Sequence, residues 1–202
     1  YVDIKLAQPI EPAALIGLFN GNAPEGVRML EGKMLEQGTK SAMALVTHSE
    51  YRLSVVLPYG SFPETEKQSD PLKKNAVLIK TLSRKLDAFM DQEEIPVVKF
   101  NKKTNVAKNL NVRPLVLNCE IHPASDREAA LLGSETEGAV IFSCLVKSGS
   151  TDNIKPELVA EAFGKFLGCG LTVRRIHRLE LYKQTREGLT DLFDNRYLSI
   201  KG

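Results

Sequence analysis

The stretch Leu171-Thr-Val-Arg-Arg-Ile-His-Arg-Leu-Glu-Leu-Tyr182 decides how the rest of the chain is read. It reads as a β-strand: Leu171, Val173, Leu179 and Leu181 share one parity, and side chains on a strand alternate between its two faces. Arg175 and His177 share that parity and break the apolar side, while Thr172, Arg174, Arg178 and Glu180 make the other side polar apart from Ile176. A charge on the apolar side of a strand is costly unless it is paired or that side is open to a ligand. Arg175 and His177 therefore either reach water at a strand end, pair with a carboxylate such as Glu120 or Glu180, or line a site.

Working backwards, Gly168 and Gly170 end a helix that Pro156 begins and whose inner stripe is Val159, Phe163 and Phe166. Gly138 to Lys147 is almost wholly apolar, as suits a central strand covered on both faces. Val112 to Ile121 is a further strand, with Leu115, Leu117, Cys119 and Ile121 on one face. Asp70-Pro71 is a cap followed by a first-turn proline, opening the longest helix, striped by Leu72, Ile79, Leu82, Leu86 and Phe89. Tyr51 to Leu57 is a clear strand, and the preceding His48 reads as a solvated histidine in a polar turn. His122 reads as a surface residue, and a helical patch is expected near Leu189 to Phe193.

Strand, long helix, strand, strand, helix, strand is the ferredoxin-like order. Its strands are expected at Tyr51–Leu57, Arg113–Ile121, Ala139–Lys147 and Leu171–Lys183, with the last at the sheet edge beside the first.

The opening of the chain repeats its end. Ile10-Glu-Pro12 and Ile154-Lys-Pro156 are offset by 144 residues (154 − 10), and the same offset carries Leu15 to Val159, Leu18 to Ala162, Phe19 to Phe163 and Val27 to Leu171. Val2 to Leu6 and Val27 to Leu35 read as strands on either side of a helix started by Pro12. The expected fold class is therefore α+β: a ferredoxin-like antiparallel sheet backed by helices, duplicated, with the first copy incomplete. Residues 1–49 form the closing half (strand–helix–strand) of an N-terminal unit; residues 50–202 form a complete domain with a basic insertion at 97–112. Because the chain opens inside a strand pattern, residues are expected upstream of Tyr1.

That insertion is the second basic region. From Ile95 to Cys119 there is no Asp or Glu, yet Lys99, Lys102, Lys103, Lys108 and Arg113 all fall there, as in a basic hairpin or loop that docks on phosphates. The candidate anion or nucleic-acid ligands are Lys102, Lys103, Lys108, Arg113, Arg174, Arg175, His177 and Arg178, gathered by the expected fold into one groove. The competing reading is a solvated, lysine-rich turn.

The 202 residues are 43% hydrophobic and 26% charged with a net charge of +2, so total charge points to no partner. There is no apolar run near the ~20 residues of a membrane helix and no signal-peptide pattern. Cys119, Cys144 and Cys169 match no zinc or iron–sulfur spacing and read as reduced thiols, which places the chain in the cytoplasm. No Gly-rich phosphate loop or His-Glu-x-x-His motif occurs. No catalytic residue, metal ligand or cofactor is assigned.

Tyr1-Val-Asp-Ile-Lys-Leu6, Pro24-Glu-Gly-Val-Arg28, Glu50-Tyr-Arg52, Val112-Arg-Pro-Leu115 and His177-Arg-Leu-Glu-Leu-Tyr182 together resemble the bacterial radical-SAM-linked protein family of unknown function. Asn111 stands where that family has Asp, and Leu179 where it has Thr. The resemblance implies partnership with a radical SAM protein rather than possession of its chemistry, which needs a three-cysteine cluster motif that this chain lacks. An accessory module that binds or presents an anionic substrate such as RNA is expected. The alternatives are a protein–protein scaffold and a metal-independent endoribonuclease with His177 as general base, the last by fold-level analogy to CRISPR repeat-processing enzymes. With no Trp and 6% aromatic residues, base stacking is not advertised.

Overall fold

The structure is a computed structural model that describes residues 1–58, 60–67, 69–101, 105–132 and 138–193. In chain order its elements are α1 (Pro12–Asn22), α2 (Ala42–Leu45), β1 (His48–Leu57), α3 (Pro63–Glu66), α4 (Pro71–Met90), β2 (Pro96–Asn101), β3 (Val106–Asn111), a 3-10 turn (Arg113–Leu115), β4 (Val116–Pro123), α5 (Asp126–Leu132), β5 (Gly138–Lys147), α6 (Pro156–Leu167), β6 (Thr172–Gln184) and β7 (Leu189–Asp191).

Proline sets the start of α1, α4 and α6, where a missing N–H costs nothing. Asp70 caps α4 by accepting the Leu72 N–H at 2.9 Å. Gly168 ends α6 in the left-handed conformation, φ +73°, which a glycine adopts without strain. At Gly164 an added Cβ would lie 3.0 Å from the Leu171 nitrogen, so only glycine lets α6 pack this closely on the approach to β6.

The fold is α+β. One antiparallel five-stranded sheet has the order β4-β5-β1-β6-β7, and its first four strands reproduce the ferredoxin-like arrangement read from the sequence. α4 and α6 cover one face. Leu53, Val55, Phe142 and Cys144 point to them, and Phe163 of α6 stacks between Phe89 of α4 and Phe142 of β5, with ring centroids 5.3 and 5.9 Å away. Truncating such a ring to Ala costs about 3–5 kcal/mol. Cys119 and Cys144 face each other in register across β4 and β5 as free thiols. Burial pushes the Cys144 thiol up to about 12 and that of Cys119 well above its ordinary value, so both pack as small apolar groups rather than act as nucleophiles.

Several local expectations change. The strand expected from Arg113 begins at Val116, because Pro114 has no N–H to offer a ladder and the Arg113–Leu115 segment turns instead. His48 is not a solvated turn residue: it is buried at the start of β1, with Nδ1 2.9 Å from Thr47 Oγ1, and burial followed by the Lys147 charge lowers its pKa. Leu189 to Asp191 is a strand rather than a helical patch, because it adds to the end of β6. The basic insertion is a hairpin, β2 paired with β3, in a sheet of its own.

In the N-terminal arm the helix starts at Pro12 as the repeat requires. The strands expected at Val2–Leu6 and Val27–Leu35 are not formed: residues 1–11 and 23–41 carry no strand. A strand is stable only where a neighbour takes its N–H and C=O groups. Both segments lie beside α1 without one.

Candidate functional site

Register explains Arg175 and His177. Ser54 lies opposite Arg175 while Val55 lies opposite Val173, so Arg174 is an extra residue; likewise Glu50 meets Glu180 and Tyr51 meets Arg178, leaving Leu179 extra. Each bulge reverses the parity of the residues beyond it. Arg175 and His177 therefore do not interrupt the apolar face. They share the opposite face with Ser54 and Arg52, since directly paired residues project together. Arg178 and Ile176 take the other face, beside Tyr51 and Leu53, and both are exposed.

The second face of the sheet is thus assembled from four strands. One cross-strand row reads Glu120, Ser143, Arg52, His177; the next reads His122, Ile141, Ser54, Arg175. α5 lies against β1 and β5 and brings Glu128 to the Arg52 guanidinium, Nη2 being 3.2 Å from Oε1 and 3.4 Å from Oε2. Glu128 also accepts the Ser125 hydroxyl at 2.7 Å and its amide at 3.0 Å. Those Ser125 bonds, then the charges of Arg52 and Arg175, hold its carboxyl below the usual carboxylate range. The Arg52 Nε–H is buried with no acceptor among the described residues.

The other carboxylates are engaged elsewhere. Glu120 Oε2 lies 3.1 Å from His122 Nε2. Glu180 accepts the Tyr1 hydroxyl and the Leu181 N–H. Tyr182 donates its hydroxyl to Glu50 Oε2 at 2.7 Å; burial, then this bond, raises the Tyr182 pKa and keeps it a proton donor. Neither Glu120 nor Glu180 pairs with Arg175 or His177. Among the described residues the side chains of Arg174, Arg175, His177 and Arg178 make no hydrogen bond or ion pair.

The sequence candidates do not converge on one groove. Arg175 and His177 come together, joined by Arg52; Arg174 stands exposed at the bulge and Arg178 on the reverse face of the same strand. Arg113 is a brace: its Nε donates to the Met90 carbonyl at 2.7 Å and its Nη1 to the Val116 carbonyl at 3.0 Å, tying the end of α4 to the start of β4. Lys108 is exposed on β3, in the separate sheet. Lys102 and Lys103 lie outside the described residues. Asn111, where the resembled family has Asp, accepts the Ile95 and Arg113 amides through Oδ1 at 2.9 and 3.0 Å, a task either side chain performs.

Sequence reasoning missed Arg52, Ser54 and Glu128 as members of this face. The signal for the first two was the alternation of Glu50, Arg52 and Ser54 against Tyr51, Leu53 and Val55. Nothing local marks Glu128. Two of the quoted motifs, Glu50-Tyr-Arg52 and His177 to Tyr182, meet strand to strand here, Glu50 holding Tyr182 and Arg52 facing His177. Among the described residues no group of three His, Cys, Asp or Glu side chains is placed to hold a metal ion, and no helix is long and apolar enough to cross a membrane.

A family model described as an uncharacterized protein conserved in bacteria (DUF2344) matches residues 1–156. The chain belongs to this family. The part that matches DUF2344 runs from the N-terminal arm through β5 and stops at the first residue of α6, so Arg52, Ser54 and Glu128 lie within it and β6 lies beyond it. No curated protein and no solved structure matches the chain.

Proposed function

We propose that this DUF2344 chain is a cytoplasmic accessory module of a radical SAM enzyme, and that β6 with Arg52 holds an anionic substrate, RNA, for that enzyme. The observation that supports the anionic part is that the side chains of Arg175 and His177, on the Arg52 face, and of Arg174 at the bulge make no hydrogen bond or ion pair among the described residues, while Glu120 and Glu180 are engaged elsewhere. Exposed guanidinium forks with unused donors suit phosphate, which they can grip through two parallel bonds. The buried, unmet Arg52 Nε–H supports the same reading. The radical SAM partnership rests on the resemblance of the quoted motifs.

Binding of this kind reads backbone rather than base, so it is insensitive to sequence and steeply weakened by salt. Fluorescence anisotropy with a single-stranded RNA oligonucleotide tests it. The parent is expected to bind at low salt, and the triple change Arg174→Ala, Arg175→Ala, His177→Ala to lower the salt slope by about one unit per lost contact. If the parent binds no RNA, or the triple variant binds as the parent does, the RNA reading gives way to a protein scaffold.

A second reading, RNA cleavage with His177 as general base, draws on the register that sets His177 beside Arg52, a cation placed to stabilise a phosphorane. Cleavage in EDTA that disappears with His177→Ala supports it; intact RNA after prolonged incubation removes it.

A further inference from the structure

We propose, on the footing of the anionic reading of β6 and Arg52, that Glu128 selects RNA over DNA: it accepts the 2′-hydroxyl of a nucleotide whose phosphate is held by Arg52 and Arg175. A surface that only attracts phosphate has no use for a carboxylate. Yet Glu128 is built into this face. Ser125-Asp-Arg-Glu128 forms a capping box at the start of α5: the Glu128 N–H donates to Ser125 Oγ at 3.3 Å, and the Ser125 amide and hydroxyl both donate to Glu128 Oε2. α5 lies on β1 and β5, so the box sets this carboxyl against Arg52.

The two oxygens of Glu128 are used unequally. Oε2 takes both Ser125 bonds and lies 3.4 Å from Arg52 Nη2, whereas Oε1 meets only that same Nη2, at 3.2 Å, among the described residues. Oε1 therefore keeps room for one more donor. The Ser125 bonds, then the Arg52 and Arg175 charges, keep the carboxyl ionised, so it accepts and does not donate. Both partners are reachable: 41% of the Arg52 side chain and 27% of the Glu128 side chain are exposed, and Arg52 Nη1 makes no hydrogen bond among the described residues. Register supplies the second cation, since Arg175 faces Ser54 on the side of the sheet that Arg52 shares with His177.

A ribonucleotide presents the matching groups, because the carbon bearing the 2′-hydroxyl adjoins the one that carries the 3′-phosphate. The phosphate takes the arginine donors, and the hydroxyl fills the open place on Oε1. Deoxyribose brings the same phosphate without the donor and leaves a carboxylate oxygen desolvated and unmatched beside the bound strand. A carboxylate reads a ribose 2′-hydroxyl in the same way in dinucleotide sites.

Single-stranded RNA, DNA and 2′-O-methyl RNA of one sequence free of U and T test this by fluorescence anisotropy on the Tyr1–Gly202 chain at low salt. The parent should bind RNA about tenfold more tightly than either analogue. DNA loses the donor without added bulk and the methyl ether loses it without losing the oxygen, so both must fall. In Glu128→Ala the RNA-to-DNA affinity ratio should drop to about one. Removing the charge strengthens both strands alike, so the ratio reads the hydroxyl contact alone. Should that variant not fold, Glu128→Met, which keeps the length of the side chain without its oxygens, replaces it. A parent that binds RNA and DNA alike overturns the inference and leaves the anionic reading standing, as does a preference that survives in the Glu128 variant. A parent that binds none of the three strands overturns both.

Discussion

The β2–β3 hairpin region and β6 are both basic stretches, and the fold treats them differently. Five cations fall between Lys99 and Arg113 with no carboxylate among them, against four between Arg174 and Arg178 counting His177; on charge alone the hairpin region is the better anion site. Yet Ile95, Val97 and Val112 anchor it in the helix-side core, and Arg113 spends its donors on the Met90 and Val116 carbonyls. The β6 arginines spend none. What separates a brace from a binding surface is whether the donors already have acceptors, and a count of charges does not see that.

The largest effect expected from this contrast is Arg113→Ala, which strands two part-buried carbonyls and should cost about 1.5–3 kcal/mol of stability while leaving RNA binding untouched. Denaturant unfolding and anisotropy on the same variant check it, and a loss of binding without a loss of stability would reverse the assignment. Arg175→Ala should do the opposite. It is expected to weaken RNA binding by about threefold to tenfold and to lower the salt slope by about one, with stability changed by less than about 0.5 kcal/mol.

A pH series sharpens the β6 side. Glu128 has a folded-state pKa below its unfolded one, because Ser125, Arg52 and Arg175 favour the charged form. Its stabilisation is therefore complete above the unfolded carboxylate pKa and is lost as pH falls through the folded value. Glu128→Gln should flatten the acid limb of the stability curve in that window; a limb as steep as the parent's would mean that Ser125, Arg52 and Arg175 together do not shift this carboxyl. The smallest effect belongs to Lys108→Ala. Exposed and in a sheet separate from β6, it should shift stability by under about 0.5 kcal/mol and RNA affinity less than Arg175→Ala does. Equal losses from the two would erase the distinction between hairpin and strand.

Much of this architecture was legible in the order of residues alone. Apolar periodicity and the prolines that start α4 and α6 marked the strands and helices of the ferredoxin-like order. The faces of β6 were not legible. A bulge is set by how a strand pairs with its neighbour, and the residues at Arg174 and Leu179 carry no mark of being extra. The Arg52–Glu128 contact joins segments 76 residues apart and is equally silent in the sequence. At Val2–Leu6 and Val27–Leu35 the local pattern says strand and the described structure has no strand there, because pairing is a property of two segments and not of one.

The outer edge of β6 from Thr172 to Leu181 has a further consequence. β7 covers only Tyr182 to Gln184, so among the described residues ten successive positions carry no strand on that side. A long bare edge invites a second molecule to add its own strand, and like charges together with bulges are what discourage it. The arginines and bulges of β6 would therefore oppose strand addition along this edge. Replacing Arg174, Arg175 and Arg178 together should raise the apparent mass in light scattering as concentration increases, and restoring a single lysine at 174 should bring it back down.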